Sequence, residues 1–337
     1  MQLAALSIAM LSIKVFWRSI TFGICARSTI PELTKWFHNR RFKVRPSNPF
    51  EAQKGRKFMT DIMGRIVFIT GAANGIGYSL AKSFAGRGAK IMLADKHVQN
   101  LTLAEESLRA LGADVASVIC DVTNLDSMKA AAQATLDRFA KVHIVVNNAG
   151  VPMSGRPGRI PMEDWRWVMD INLMGVVHGV EVFAPILQEQ GEGGHFLNTA
   201  SMAGLMAQAG VAPYVASKFA VVGYSESLRD EVAADNIGVS VLCPGYVKTG
   251  IHSAMFDRPS LKTTTDESVK GKRYEGMNNL IENGMDPDAI ANWAVDCVVD
   301  NRFYVFANPE IRQAYAARSA AILADFDALI SDGRFSS

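Results

Sequence analysis

Short apolar runs alternate along the chain with longer stretches of helical spacing, beginning near residue 65. The runs Arg65 to Thr70, Lys90 to Ala94, Asp114 to Cys120, His143 to Val146, Gly194 to Asn198 and Val239 to Cys243 suit strands buried on both faces of a parallel sheet. Helical patterns fall between them: from the glycines at 71–77 through Arg87, then roughly Val98 to Leu111, Leu125 to Ala140, Met162 to Gln190 and Val211 to Ala234. Pro287 to Val299 reads as a helix with proline near its start, and Phe303 to Phe306 as a final strand. Asn308 and Pro309 then read as the cap and first turn of a helical tail running through Ile330. This alternation predicts an α/β fold, a doubly wound parallel sheet with helices on both faces.

Polar residues and glycines collect where the strands end, which is where such sheets bind ligands. The first strand stops at Gly71, and Gly71-Ala72-Ala73-Asn74-Gly75-Ile76-Gly77 leads straight into a helix. A glycine turn there lets backbone amides approach a pyrophosphate, and the helix dipole favours its charge. A plain glycine turn is the alternative. The second strand ends at Asp95, 18 residues beyond Gly77, close to where a dinucleotide-binding unit of Rossmann type places the acid that holds a ribose 2′-hydroxyl. Asp95 points to NAD, while Lys96 beside it leaves NADP open. Farther on, Tyr214 and Lys218 stand four residues apart on one helical face, so the ammonium is positioned to lower the phenol pKa for proton transfer.

Five segments in this order resemble the short-chain dehydrogenase/reductase family over roughly residues 63–310: Thr70 to Gly77, Asn147-Asn148-Ala149-Gly150, Ser201, Tyr214 with Lys218, and Pro244-Gly245-Tyr246-Val247-Lys248-Thr249. The resemblance implies a nicotinamide-dependent oxidoreductase acting on an alcohol or carbonyl group. It implies Tyr214 as general acid/base, Ser201 as the hydroxyl on the substrate oxygen and Lys218 on the nicotinamide ribose. Asn172 matches a helix asparagine of the proton relay, although alone it reads as a helix-interior polar residue bonded to a neighbouring carbonyl. Asp121 and Val122 match the adenine contacts, Asp121 also reading as a helix cap. Asn148 matches an adenosine-side contact and sheet brace, and Thr249 a contact to the carboxamide. The remaining cofactor contacts fall on Gly71, Asn74, Gly75, Ile76, Gly77, Ala149, Gly150, Pro244, Gly245 and Val247.

Other features bound the reading. The 337 residues are 49% hydrophobic, enough for a full α/β core of about 250 residues with a surplus. Net charge is +2, but residues 1–58 hold 11 Lys or Arg against Glu32 and Glu51, so the remainder is acidic and binds no nucleic acid. Three readings of 1–58 stay open: a chain start near Met59, an organelle-targeting or membrane-surface segment, or an ordered extension. The first of these leaves a cytoplasmic enzyme. Cys25, Cys120, Cys243 and Cys297 lack paired spacing and read as free thiols. His38, His97, His143, His178, His195 and His252 show no ligand spacing, so no metal is called for and each reads as a surface or loop residue.

The stretch 246–272 reads as a substrate lid, with Met255 and Phe256 facing either an apolar ligand or the core. Val151 to Ser154 and Ala203 to Met206 read as apolar cleft walls. In the tail, 311–337, Ile311, Tyr315, Ile322, Phe326 and Ile330 predict a face packed on the body or on a partner subunit. The helices Met162 to Gln190 and Val211 to Ala234 suggest a homodimer or homotetramer. Two other functions compete: a related epimerase or dehydratase, which needs a larger carboxyl-terminal domain, and a nucleotide-binding scaffold or sensor without turnover, against which the intact Tyr214 and Lys218 argue.

Overall fold

The computed structural model describes residues 62–262 and 281–334. The amino-terminal readings for 1–58, a start at Met59, and the lid from 263 to 272 lie outside these residues. Seven parallel strands form one sheet in the order β3-β2-β1-β4-β5-β6-β7. They are β1 Ile66–Thr70, β2 Lys90–Asp95, β3 Val115–Ile119, β4 Ile144–Asn147, β5 Gly194–Thr199, β6 Ile237–Cys243 and β7 Tyr304–Phe306. Among the described residues the helices of eight or more residues are α1 Gly75–Ala85, α2 Val98–Ala110, α3 Leu125–Phe139, α4 Met162–Met169, α5 Gly175–Gln190, α6 Ala212–Val232, α7 Pro287–Val299 and α8 Ile311–Asp332. Every expected strand is present, and so is every expected helix except that Met162 to Gln190 is interrupted, with ends that coincide or move by one or two residues.

The apolar runs form strands because both faces are covered. In β1, Val67 and Ile69 pack with α1, α2 and α7, whereas Phe68 faces the opposite layer and meets Phe183 of α5 at 4.6 Å between ring centroids. The chain reverses direction of sheet growth between β1 and β4, so a crevice opens at their carboxyl ends.

Four readings of local structure change. Met162 to Gln190 is broken by a π turn, Asp170–Met174, which carries Asn172. Asp121 does not cap α3: Asn124 does, accepting from the Asp126 and Ser127 amides, while Asp121 accepts from Thr123. Asn308 does not cap the tail helix, because its Oδ1 accepts from the Gly245 amide at 2.9 Å. The tail helix itself buries none of its residues, and Ile322, Phe326 and Ile330 are exposed, so of the two expected neighbours, body or partner subunit, the body does not cover this apolar face among the described residues. Arg318 of this helix stacks over Phe219 of α6.

Two histidines expected at the surface are buried. His195 on β5 bonds the Ser240 hydroxyl, and burial drives its pKa down to about 3. His143 accepts from the Ile66 amide through Nδ1 and pairs with Glu192 through Nε2. His195 goes inward as part of β5, and His143 stands just before β4. Cys120, Cys243 and Cys297 are free and buried, as their apolar surroundings predict.

Candidate active site

A cleft of about 870 Å³ runs along the carboxyl ends of the strands. All the catalytic and cofactor-binding candidates line it except two, Gly77 and Asn172, which stand directly behind its wall. At one end the β1–α1 turn brings its backbone to the cleft floor. Gly71 and Gly75 have φ of +62° and +56°, which disfavour any side chain. A Cβ on Gly77 would sit 2.1 Å from the Gly71 carbonyl oxygen and 2.6 Å from Asn148 Nδ2. The three glycines therefore keep the turn flat against β4. Helix α1 begins without a side-chain cap and without an acid in its first turn, leaving an environment suited to an anion.

Asn148 ties this turn to the sheet. Its Nδ2 donates to the carbonyls of Thr70 and Gly71, its amide donates to Thr70 Oγ1, and Thr199 Oγ1 donates to its Oδ1. Thr70 also receives the Ala149 amide, a role with no compositional signal. Asp95 is buried at the end of β2, where its two oxygens accept the Ala73 and His97 amides at 3.1 and 3.0 Å. Those bonds fix the carboxylate at the cleft edge. Asp121 and Val122 line the same end, Val122 presenting its carbonyl to His178.

At the other end β5, α6 and the π turn converge. Ser201 Oγ accepts the Ala203 amide at 3.1 Å and donates to the Pro244 carbonyl at 3.4 Å. Burial pushes the Tyr214 pKa up, and the Ser201 hydroxyl opposes that rise. The expectation that Lys218 lowers it is corrected: Lys218 Nζ lies 5.8 Å from the Tyr214 ring centroid and donates to the Thr199 carbonyl at 2.9 Å. Burial pushes Lys218 down to about 8. Around Gly150, Lys218 Nζ and Asn172 Oδ1 each lie 3.4 Å from where a Cβ would stand, so both groups gather behind the same cleft wall.

Asn172 is fully buried. Its Oδ1 accepts the Val151 amide at 2.8 Å, and its Nδ2 donates to the Val151 carbonyl and to Ser217 Oγ. Ser217 in turn donates to the Tyr214 carbonyl, so Asn172 braces both the loop after β4 and the helix that carries Tyr214 and Lys218. The π turn aims this side chain out of the α4–α5 line, a distortion frequent at functional sites.

The substrate half of the cleft is walled by Val151, Pro152, Met153, Ala203 and Met206, whereas Ser154, Gly204 and Leu205 stand outside it. Tyr246, inside the segment Pro244 to Thr249, also lines it, as do Trp167, Ile171, Gln208 and Val211, which nothing in their local sequence marked. Met255 is buried outside the lining, which resolves its reading in favour of the core; the side chain of Phe256 lies outside the described residues. Thr249 Oγ1 accepts the Ile251 amide, and a Cβ on Gly75 would meet its methyl at 3.1 Å.

The flat glycine turn, open helix end and buried acid on β2 fit the pyrophosphate and adenosine ribose of a dinucleotide, and the length of the cleft leaves its far end beside Ser201, Tyr214 and Lys218. Residues 65–259 match the short chain dehydrogenase family. A dehydrogenase/reductase of CLA biosynthesis from Lactiplantibacillus plantarum is 34% identical over 284 residues, covering 82% of this chain and 99% of that protein. The C alpha-dehydrogenase of Sphingobium sp. is 29% identical, covering 81% of this chain and 90% of its own. The crystal structure of a short chain dehydrogenase/reductase from Burkholderia phymatum in complex with NAD superposes with a TM-score of 0.75 at 35% identity, covering 79% of this chain and 97% of that one.

Proposed function

Because this chain belongs to the short-chain dehydrogenase/reductase family, and so is an oxidoreductase of the NAD(P)-dependent kind, we propose that it interconverts a secondary alcohol and its ketone with NAD as the preferred partner. The convergence of Ser201, Tyr214 and Lys218 on one wall of the cleft carries this reading.

A bound nicotinamide supplies the hydride acceptor or donor. The chain supplies the proton and the positioning. In oxidation Tyr214, as phenolate, takes the hydroxyl proton of the substrate; in reduction it returns a proton to the carbonyl oxygen. The Ser201 hydroxyl donates to that oxygen as its charge changes, help that counts most in a site closed to water. Lys218, anchored on the Thr199 carbonyl, holds the nicotinamide-side ribose. Asn172 keeps α6 and the loop at Val151 in register with each other.

The substrate body is uncharged and mainly apolar, since Val151, Met153, Trp167, Ile171 and Met206 face it. Gln208 offers one polar contact in the same half of the cleft. A panel of apolar secondary alcohols and ketones, followed by the absorbance of the reduced nicotinamide with NAD(H) and NADP(H), tests the proposal. Turnover of at least one aryl or alkyl secondary alcohol with NAD is expected. Tight dinucleotide binding with no turnover across the panel favours a scaffold instead.

A further inference from the structure

We propose that Asp257 is a second determinant of dinucleotide choice, excluding a 2′-phosphate by engaging the ammonium of Lys96. This deepens the reading of Asp95 as the ribose acid and rests on it.

After Thr249 the chain forms a 3-10 run, Gly250–Asp257, that crosses the cleft mouth as a strap. One end is held where the Thr249 methyl packs on Gly75. The other is held where Ser260 donates to Asp164 of α4 through both its amide, at 3.0 Å, and its hydroxyl, at 2.6 Å. Arg258, buried beside it, approaches the same carboxylate at 3.9 Å. The strap thus has fixed ends, and the residue between them is placed rather than free.

That residue is Asp257, and it meets the end of β2. Its Oδ2 lies 3.6 Å from Lys96 Nζ and 3.9 Å from His97 Nε2. Asp95, Lys96, His97 and Asp257 all line the cleft together. From the sequence, Lys96 was the one group beside Asp95 that offered a charge to a 2′-phosphate. In the folded chain that charge already faces a carboxylate 161 residues farther along the chain. A dianionic phosphate at the ribose must compete with Asp257 for Lys96, while a 2′-hydroxyl, bonded to Asp95, makes no such demand. Both side chains are part-exposed, so the pair adds little to stability, and its effect appears in selection between ligands.

Titration calorimetry of the full chain with NADH and with NADPH tests this. Asp257→Asn is expected to raise affinity for NADPH relative to NADH by about fivefold, the worth of one added charge contact near 4 Å in water. Adding Lys96→Gln to Asp257→Asn is expected to remove that gain, and raising the salt to about 0.5 M to shrink it. An unchanged ratio in Asp257→Asn, or a gain that survives Lys96→Gln, overturns the proposal. Asp95→Ala separates the two levels. If it shifts the ratio toward NADPH and Asp257→Asn does not, the ribose placement stands and the role of Asp257 falls; if Asp95→Ala shifts nothing, both fall.

Discussion

Replacing Lys218 by methionine should abolish turnover and yet alter stability in a pH-dependent way that reports its burial. Lys218 is 3% exposed, and burial holds its pKa at about 8 against an ordinary 10.5. The unfolded chain keeps this proton up to 10.5 and the folded chain only up to about 8. Between those values the unfolded state binds more protons, so folding gains stability as pH rises; below 8 the full cost of burying the charge is present. The displacement corresponds to roughly 3 kcal/mol against the fold at pH 7, falling to roughly 1 kcal/mol at pH 9.5. Methionine removes that cost but leaves the Thr199 carbonyl without the bond it accepts at 2.9 Å, an offset of about 1–3 kcal/mol that does not depend on pH. The stability of Lys218→Met relative to the parent should therefore fall by about 2 kcal/mol between pH 7 and pH 9.5. Urea unfolding of both proteins without added dinucleotide at the two pH values measures this double difference. A difference that stays constant across that range would show that Lys218 titrates in the folded chain as it does in water.

Gly77→Ala places a methyl 2.1 Å from the Gly71 carbonyl, so the turn must open; NADH affinity measured by fluorescence quenching should fall by about tenfold or more. Asn172→Ala leaves the amide and carbonyl of Val151 without their partners, and the urea midpoint should drop by an amount equivalent to about 2–5 kcal/mol, with kcat reduced while the KM for dinucleotide changes little. Burial pushes the Cys120 thiol up to about 11 and Cys243 up to about 12, so peptide mapping after iodoacetamide at pH 8 should find both unmodified until urea is added.

The sheet was legible because its strands are buried on both faces and so read as unbroken apolar runs. Gly71, Gly75 and Gly77 were legible for a different reason: a turn that flat tolerates no side chain, and the requirement is written in adjacent residues. Features built from distant residues left no such trace. The pairing of Asp257 with Lys96 and of Ser260 with Asp164 depends on how a strap crosses the cleft, which no local pattern encodes. The π turn at Asn172 costs one hydrogen-bond register and changes no composition, so the segment reads as a continuous helix. His195 was misjudged because a polar residue flanked by Gly194 and Phe196 has the same sequence signature in a loop as in a buried strand, and the bond to the Ser240 hydroxyl opposite it helps make burial tolerable. The apolar spacing of the tail predicted a face against the body or a partner subunit; the single chain leaves α8 exposed, and light scattering of the parent beside Ile322→Asp with Phe326→Asp would show whether a second copy covers it: a dimer or tetramer that dissociates in the double variant is the expected result.

The central claim is that Tyr214 moves the proton while the rest of the cleft binds the dinucleotide. Tyr214→Phe tests it most directly when turnover and NADH affinity are measured on the same preparation. The account predicts a loss of kcat of about 100-fold to 10,000-fold with the dissociation constant for NADH unchanged within about threefold. A variant that turns over at the parental rate would contradict it, whatever its affinity for the cofactor.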